Sequence, residues 1–351
     1  NHEICSELHL YEENKIIFKL SLAIANYYLD NNCQSIVRSK LYKLPFWNEN
    51  QLSDKIYSIV GLLSRTGLLY YVPIDSDDSY YFAYNKLADY LCAYCLKIKF
   101  TEPKTLRDYV YSHMLSLDEN GRIMSSDSIS ILSVLFGLFA EAFSEELIDN
   151  ITELALPEYI KSEMIDGYIE SYIWRKSSAI DRQKFMDEIR KYNINKTTVW
   201  KVLISNSTKE NHALNADFLH ELLFPMPMNR RDHLWTIEIN RMTNEQLVHL
   251  IDEMSKGNLI IRFADSELWL LSIVFTWVLT SSNRPLRDKA SKALVKIFMI
   301  HFEYCKKMLI KFQDVNDPYV IQRLFGIVFG ACIGCTNKVK NEYFGLAKYV
   351  Y

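Results

Sequence analysis

One stretch of this 351-residue chain changes rhythm. Leu68-Leu-Tyr-Tyr-Val72 and Tyr80-Tyr-Phe-Ala-Tyr84 place β-forming residues at period two on either side of a turn-rich Pro73-Ile-Asp-Ser-Asp-Asp-Ser79. That is the pattern of a two-stranded hairpin. Every other long segment repeats its apolar residues at helical spacing, and no second strand signal appears. The chain is therefore expected to be mainly α, with helices packing on helices and a single small β element.

The hairpin has a definite setting. Ile16, Ile17, Leu20, Ala23, Ile24, Tyr27 and Tyr28 recur at three- and four-residue steps, predicting an amphipathic helix from Asn14 to Asp30. A second short helix is expected over Ile36 to Leu44, ahead of Pro45, and a third from about Ser53 through Leu63, stopped by Gly67. Three short helices followed by a hairpin make a winged helix-turn-helix, with the helix from Asn85 to about Phe100 packing back on it. This assigns residues 1–102 to a winged-helix domain with flanking helices and residues 103–351 to an α-helical, repeat-like domain.

In that second part helical periods run over Leu106 to Leu117, Asp127 to Phe143, Ser162 to Trp174, Asp181 to Tyr192, Asn244 to Met254 and Glu267 to Leu279. Near the end two stretches repeat. Asn283-Arg-Pro285-Leu-Arg-Asp-Lys-Ala290 and Asn316-Asp-Pro318-Tyr-Val-Ile-Gln-Arg323 each put a polar cap and a proline ahead of an apolar helix, with the prolines 33 residues apart. Proline is tolerated in the first helical turn, so both are helix starts, with Asp317 as the capping acid of the second. Repeats of this period stack into solenoids of HEAT or tetratricopeptide type.

Composition narrows the function classes. The chain is 49% hydrophobic and 24% charged, the balance of a folded globular protein. A formal net charge of -3 supplies no positive field for nucleic acid or an anionic membrane. The longest apolar stretch, Leu268 to Leu279, is too short to span a bilayer and reads as a buried core helix. The start, Asn1-His-Glu-Ile-Cys5, carries no signal peptide and reads as the beginning of a fragment. Seven cysteines suit a reducing cytoplasm.

Catalytic signatures are not found in the sequence. The ten scattered glycines form no phosphate-binding loop, and neither a Gly-x-Ser-x-Gly elbow nor a His-Glu-x-x-His pair is present. No catalytic residue, cofactor or metal is assigned to this chain. Cys92-Ala-Tyr-Cys95 and Cys332-Ile-Gly-Cys335 have the spacing of zinc-ligand pairs, but both lie in apolar helical segments and read as buried small residues. The helix Asp54 to Arg65 offers a nucleic acid only Lys55 and Arg65, while Asp75, Asp77 and Asp78 in the wing would repel phosphate. In Arg230-Arg-Asp-His-Leu-Trp235, neighbours on a helix point about 100° apart, so Asp232 cannot orient His233. A helix-start ion pair with a buried Trp235 is expected instead.

Phe82-Ala-Tyr-Asn-Lys-Leu-Ala-Asp-Tyr-Leu-Cys-Ala93 resembles the segment that follows the nucleotide-binding domain in bacterial STAND NTPases. Arg231-Asp232 with Trp235-Thr236, Arg284-Pro-Leu-Arg-Asp-Lys-Ala290 with Leu294, and Asn316-Asp-Pro-Tyr-Val320 with Arg323 resemble, in order, three landmarks of the antiviral Avs-type group. Met228-Asn-Arg departs from the small residues common there. The resemblance implies a winged helix followed by a helical sensor array, recognising a phage protein such as the large terminase or the portal. It makes Arg230, Arg231, Asp232, Trp235, Arg284, Arg287, Tyr319 and Arg323 the candidate partner-binding residues. The parent would be an oligomerising ATPase holding ATP and Mg, with its ATPase core upstream. The competing expectation is a transcriptional regulator whose winged helix binds DNA while the helical part dimerises or binds an effector.

Overall fold

The computed structural model describes residues 15–74, 77–120, 122–123, 128–148, 155–241, 246–335 and 340–350. It is mainly α-helical with one small antiparallel sheet, and the chain divides into two compact units, residues 1–175 and 176–351. The helices between Pro103 and Arg175 thus pack with the first unit, beyond the sequence boundary drawn at residue 102.

The first unit opens with α1 (Ile16–Asn31), which buries Ile16, Ile17, Leu20, Ile24 and Tyr28 along one stripe, as its period requires. Residue 14 lies outside the described residues. The expected second helix does not begin at Ile36. Ile36–Val37 is instead strand β1, and only Arg38–Leu41 is helical (α2). Ile36 is fully buried and pairs with Tyr80, and β1 joins β2 (Leu69–Val72) and β3 (Ser79–Phe82) in the order β1-β3-β2. Two residues are too few to display a period, so burial against the sheet decides the conformation. Arg38 ion-pairs with Asp78, and Ser39 N–H donates to the Asp77 carboxylate, tying α2 to the β2–β3 turn. Asp75 lies outside the described residues. The β2–β3 hairpin is as the period predicts, with Leu69 opposite Phe82 and Tyr71 opposite Tyr80.

Between β1 and β2 lie α3 (Phe46–Glu49) and α4 (Ile56–Arg65), the latter burying Ile59, Val60, Leu62 and Leu63. Next, α5 (Asn85–Lys99) packs on α1, α6 (Pro103–Tyr109) widens into a π-helical turn at Val110–Met114, and α7 (Ser128–Phe143) lies between α5 and α8 (Glu158–Ser171). The expected helix through Leu117 therefore stops early. Val110 and Met114 stay buried, and Asp118 closes a turn by accepting from Asn120 and Arg122 N–H groups. A bidentate Arg175–Glu146 pair, 2.8 and 3.0 Å, is buried beneath Tyr172. Burial works against the Arg175 charge, but the Glu146 hydrogen bonds and charge outweigh it and raise the guanidinium above its ordinary value.

The second unit is all helix among the described residues: α9 (Arg182–Lys191), α10 (Lys196–Asn206), α11 (Ala216–Leu223), then α12 (Met228–Arg231) running through a π turn at Asp232–Thr236 into α13 (Ile237–Arg241). There follow α14 (Gln246–Lys256), α15 (Asp265–Val278), α16 (Arg284–Ile300), α17 (Glu303–Phe312), α18 (Pro318–Gly334) and α19 (Lys340–Val350). α14, α16 and α18 lie side by side in a row, while α15 packs on both α11 and α16. α15 buries every residue from Leu270 to Val278, matching the core helix read from its sequence. The two helix starts form as expected. Asn283 accepts from Leu286 N–H, and Asp317 from Val320 N–H ahead of Pro318. Among the described residues no helix is long and apolar enough to cross a membrane.

Candidate functional site

The eight candidate residues separate into two groups. Arg231 and Trp235 are sealed in the core at 0% exposure, so neither can meet a partner. The proline turn at Pro225 and Pro227 starts α12 with Arg231 facing inward. Its Nη1 donates to Asn316 Oδ1 at 2.8 Å, its Nη2 donates to Asp317 Oδ2 at 3.0 Å, and the guanidinium lies over the Trp277 ring. Trp235 Nε1 donates to the Trp277 carbonyl at 3.0 Å, and its ring meets Trp200 edge-on. The ion pair at this helix start joins Arg231 to the distant Asp317, while Asp232 accepts from the Thr236 hydroxyl. Arg230 is exposed beside it.

The other four come together. Arg287 and Arg323 reach the Tyr319 ring from α16 and α18, with guanidinium carbons 4.9 and 5.3 Å from its centroid. Arg323 also donates to the Tyr319 hydroxyl at 2.7 Å, to Asp288 at 2.9 Å and to Ser291 at 3.2 Å, and Arg284 ion-pairs with Asp288. Those hydrogen bonds from Arg323 hold the Asp288 carboxyl below its usual range. The cluster thus latches the first turns of α16 and α18 together and leaves Tyr319 partly exposed.

Beyond this latch a groove of about 630 Å³ runs along α16 and α18. Its walls bear Lys292, Val295 and Lys296 from α16, with Gln322, Gly326 and Ile327 from α18. Nothing lies within 4 Å of where a Cβ on Gly326 would sit, so that position is a dimple in the α18 wall. Three turns of α18 next to the groove are apolar and uncovered, with Phe325, Phe329 and Ile333 at 43, 67 and 70% exposure. Sequence reading missed this stripe. The signal was there: α18 is apolar on both faces, Val320, Leu324, Ile327, Val328 and Ala331 filling the core side and the stripe facing out.

Elsewhere, Cys92 and Cys95 point their thiols at the Ala25 and Leu22 carbonyls of α1, and burial pushes the Cys95 thiol up to about 12. Among the described residues no three His, Cys, Asp or Glu side chains are grouped to hold a metal ion. Comparison with protein-family models, with curated proteins and with solved structures gives no match, so function has to be read from these side chains alone.

Proposed function

We propose that this chain is the regulatory and ligand-sensing portion of a STAND-type NTPase of the antiviral Avs-type group, and that its second unit recognises a phage protein. One observation carries the proposal. The Phe325, Phe329 and Ile333 stripe stands uncovered beside a groove, and contiguous exposed apolar surface of this kind marks an interaction site on a folded protein.

The element order supports the finer parts of this proposal. Helix, short strand, helices and hairpin, with strand order β1-β3-β2, fit a winged helix-turn-helix. The row of α14, α16 and α18 fits a HEAT- or tetratricopeptide-like array, whose stacked helices present an extended surface without needing a pocket. Duplex binding is less well supported, since α4 has few cations and the Asp77 and Asp78 carboxylates sit at the wing. The winged helix would then restrain an ATPase core, where the parent would hold ATP and Mg.

Two measurements test it. The reading frame upstream of Asn1 should encode a Gly-x-x-x-x-Gly-Lys-Ser/Thr loop, and the purified chain should bind purified phage large terminase or portal protein in a pull-down. A frame without the loop, together with no binding to either protein, overturns the proposal.

A further inference from the structure

The groove between α16 and α18 has a charge pattern that specifies what fits it. Lys292, Lys296 and Arg323 line it, and among the described residues no carboxylate does. Arg323 is already compensated by Asp288, and the nearby Asp252 is held by Lys256 and Lys289, which together bring it down to about 2. Lys292 and Lys296 have no ion-pair partner among the described residues; Lys292 is exposed, and the Lys296 ammonium lies across Gly257. Two uncompensated cations therefore stand on the α16 wall.

The α18 side adds an apolar face next to the groove. At about 100° per residue, Gln322, Phe325, Gly326, Phe329 and Ile333 fall within one face, and Gly330 and Gly334 fall on the flank turned to α16. The flank is in tight contact, since a Cβ on Gly330 would come within 3.2 Å of Val295. The exposed face runs about 17 Å from Gln322 to Ile333, at about 1.5 Å per residue. That is three helical turns, the length over which a partner helix sets anchors at i, i+3 or i+4, and i+7. The Gly326 dimple admits one such anchor between Phe325 and Phe329.

We propose that this groove docks an acidic amphipathic helix of the recognised protein, its apolar side on Phe325, Phe329 and Ile333 and its carboxylates on Lys292 and Lys296. The inference rests on the protein-recognition reading above and names the chemistry of the partner. An anionic bilayer is the competing occupant, and the vesicle arm of the test separates the two.

The test uses the full chain and a fluorescein-labelled helical peptide of about sixteen residues, with leucines at the anchor spacing and flanking glutamates. Anisotropy should show saturable binding. The double variant Lys292→Glu/Lys296→Glu should weaken it at least about tenfold, and a lysine version of the peptide should bind that variant better than wild type. Gly326→Leu fills the dimple in open space; it should abolish peptide binding while leaving the thermal midpoint no lower. Equal binding by the glutamate and lysine peptides, or indifference to Gly326→Leu, overturns the inference. Binding to vesicles rich in phosphatidylserine, or a dimer of this chain that Phe329→Ser breaks, reassigns the face and also overturns it. If intact terminase or portal binds wild type and Gly326→Leu alike, this docking site fails and the proposed function stands. If the upstream loop and both phage proteins fail while the peptide result holds, the reverse is true.

Discussion

Asp317 uses both carboxylate oxygens. Oδ1 caps α18 by accepting from Val320 N–H, and Oδ2 accepts from the buried Arg231. A cap alone contributes about 0.5 to 2 kcal/mol. Removing one partner of a buried pair costs more, about 3 to 5 kcal/mol, because the other charge stays in the core. Asp317→Ala should therefore lower unfolding free energy by about 3 to 5 kcal/mol in urea titration. Asp317→Asn, which keeps a capping oxygen, should lose less. A loss of under about 1 kcal/mol for the alanine variant would show that Arg231 is satisfied without Asp317. The helix start was legible in Asn316-Asp-Pro318, whereas its link to Arg231 was not, since no local pattern joins residues 86 apart.

His220 is the second residue with a measurable signature. It lies among Phe224, Trp277 and Phe312, and burial pushes its imidazole down to about 4, with the Lys311 ammonium adding to the effect. The unfolded chain takes up that proton near pH 6.5, while the folded chain resists until about 4. Stability from the neutral ring is thus present above pH 6.5 and is lost as pH falls from there toward 4. The thermal midpoint of wild type should drop across that window more steeply than that of His220→Phe, and parallel curves would contradict the assignment.

At the scale of elements, α18 carries two glycines with opposite expected behaviour. Gly326 faces open space in a helix, so Gly326→Ala should stabilise by about 0.5 to 1 kcal/mol. Gly330 lets α18 approach Val295 on α16, so Gly330→Leu should force the helices apart and cost about 1 to 3 kcal/mol. Chemical denaturation of both variants checks the pair, and equal shifts would mean the close approach matters little. α1 was readable from the period of its single stripe, and α15 from its unbroken apolar run. β1 was not, because two residues carry no period and Ile36 becomes a strand only by meeting Tyr80. The π turns at Val110–Met114 and Asp232–Thr236 likewise leave no mark in the pattern. The docking stripe was visible as an excess of apolar residues around α18, but which side the core would cover depended on α16, which sequence alone did not place.

At the scale of the whole molecule, each unit has its own core, so residues 176–351 expressed alone should give a single cooperative thermal transition by circular dichroism. A broad, non-cooperative melt would show that this core needs residues 1–175. The second unit is also closed by long-range polar links: Arg231 to Asp317, and Lys311 to Asp217 across 94 positions. Helices form locally, but these bonds wait until the chain has run on for about half the length of the unit. On a ribosome, Arg231 emerges and must idle in a loosely collapsed, still hydrated state until Asp317 follows. Chains stalled before Asp317 should therefore remain protease-sensitive, and this unit should snap into its final order only when α18, the helix that bears the apolar stripe, has been made.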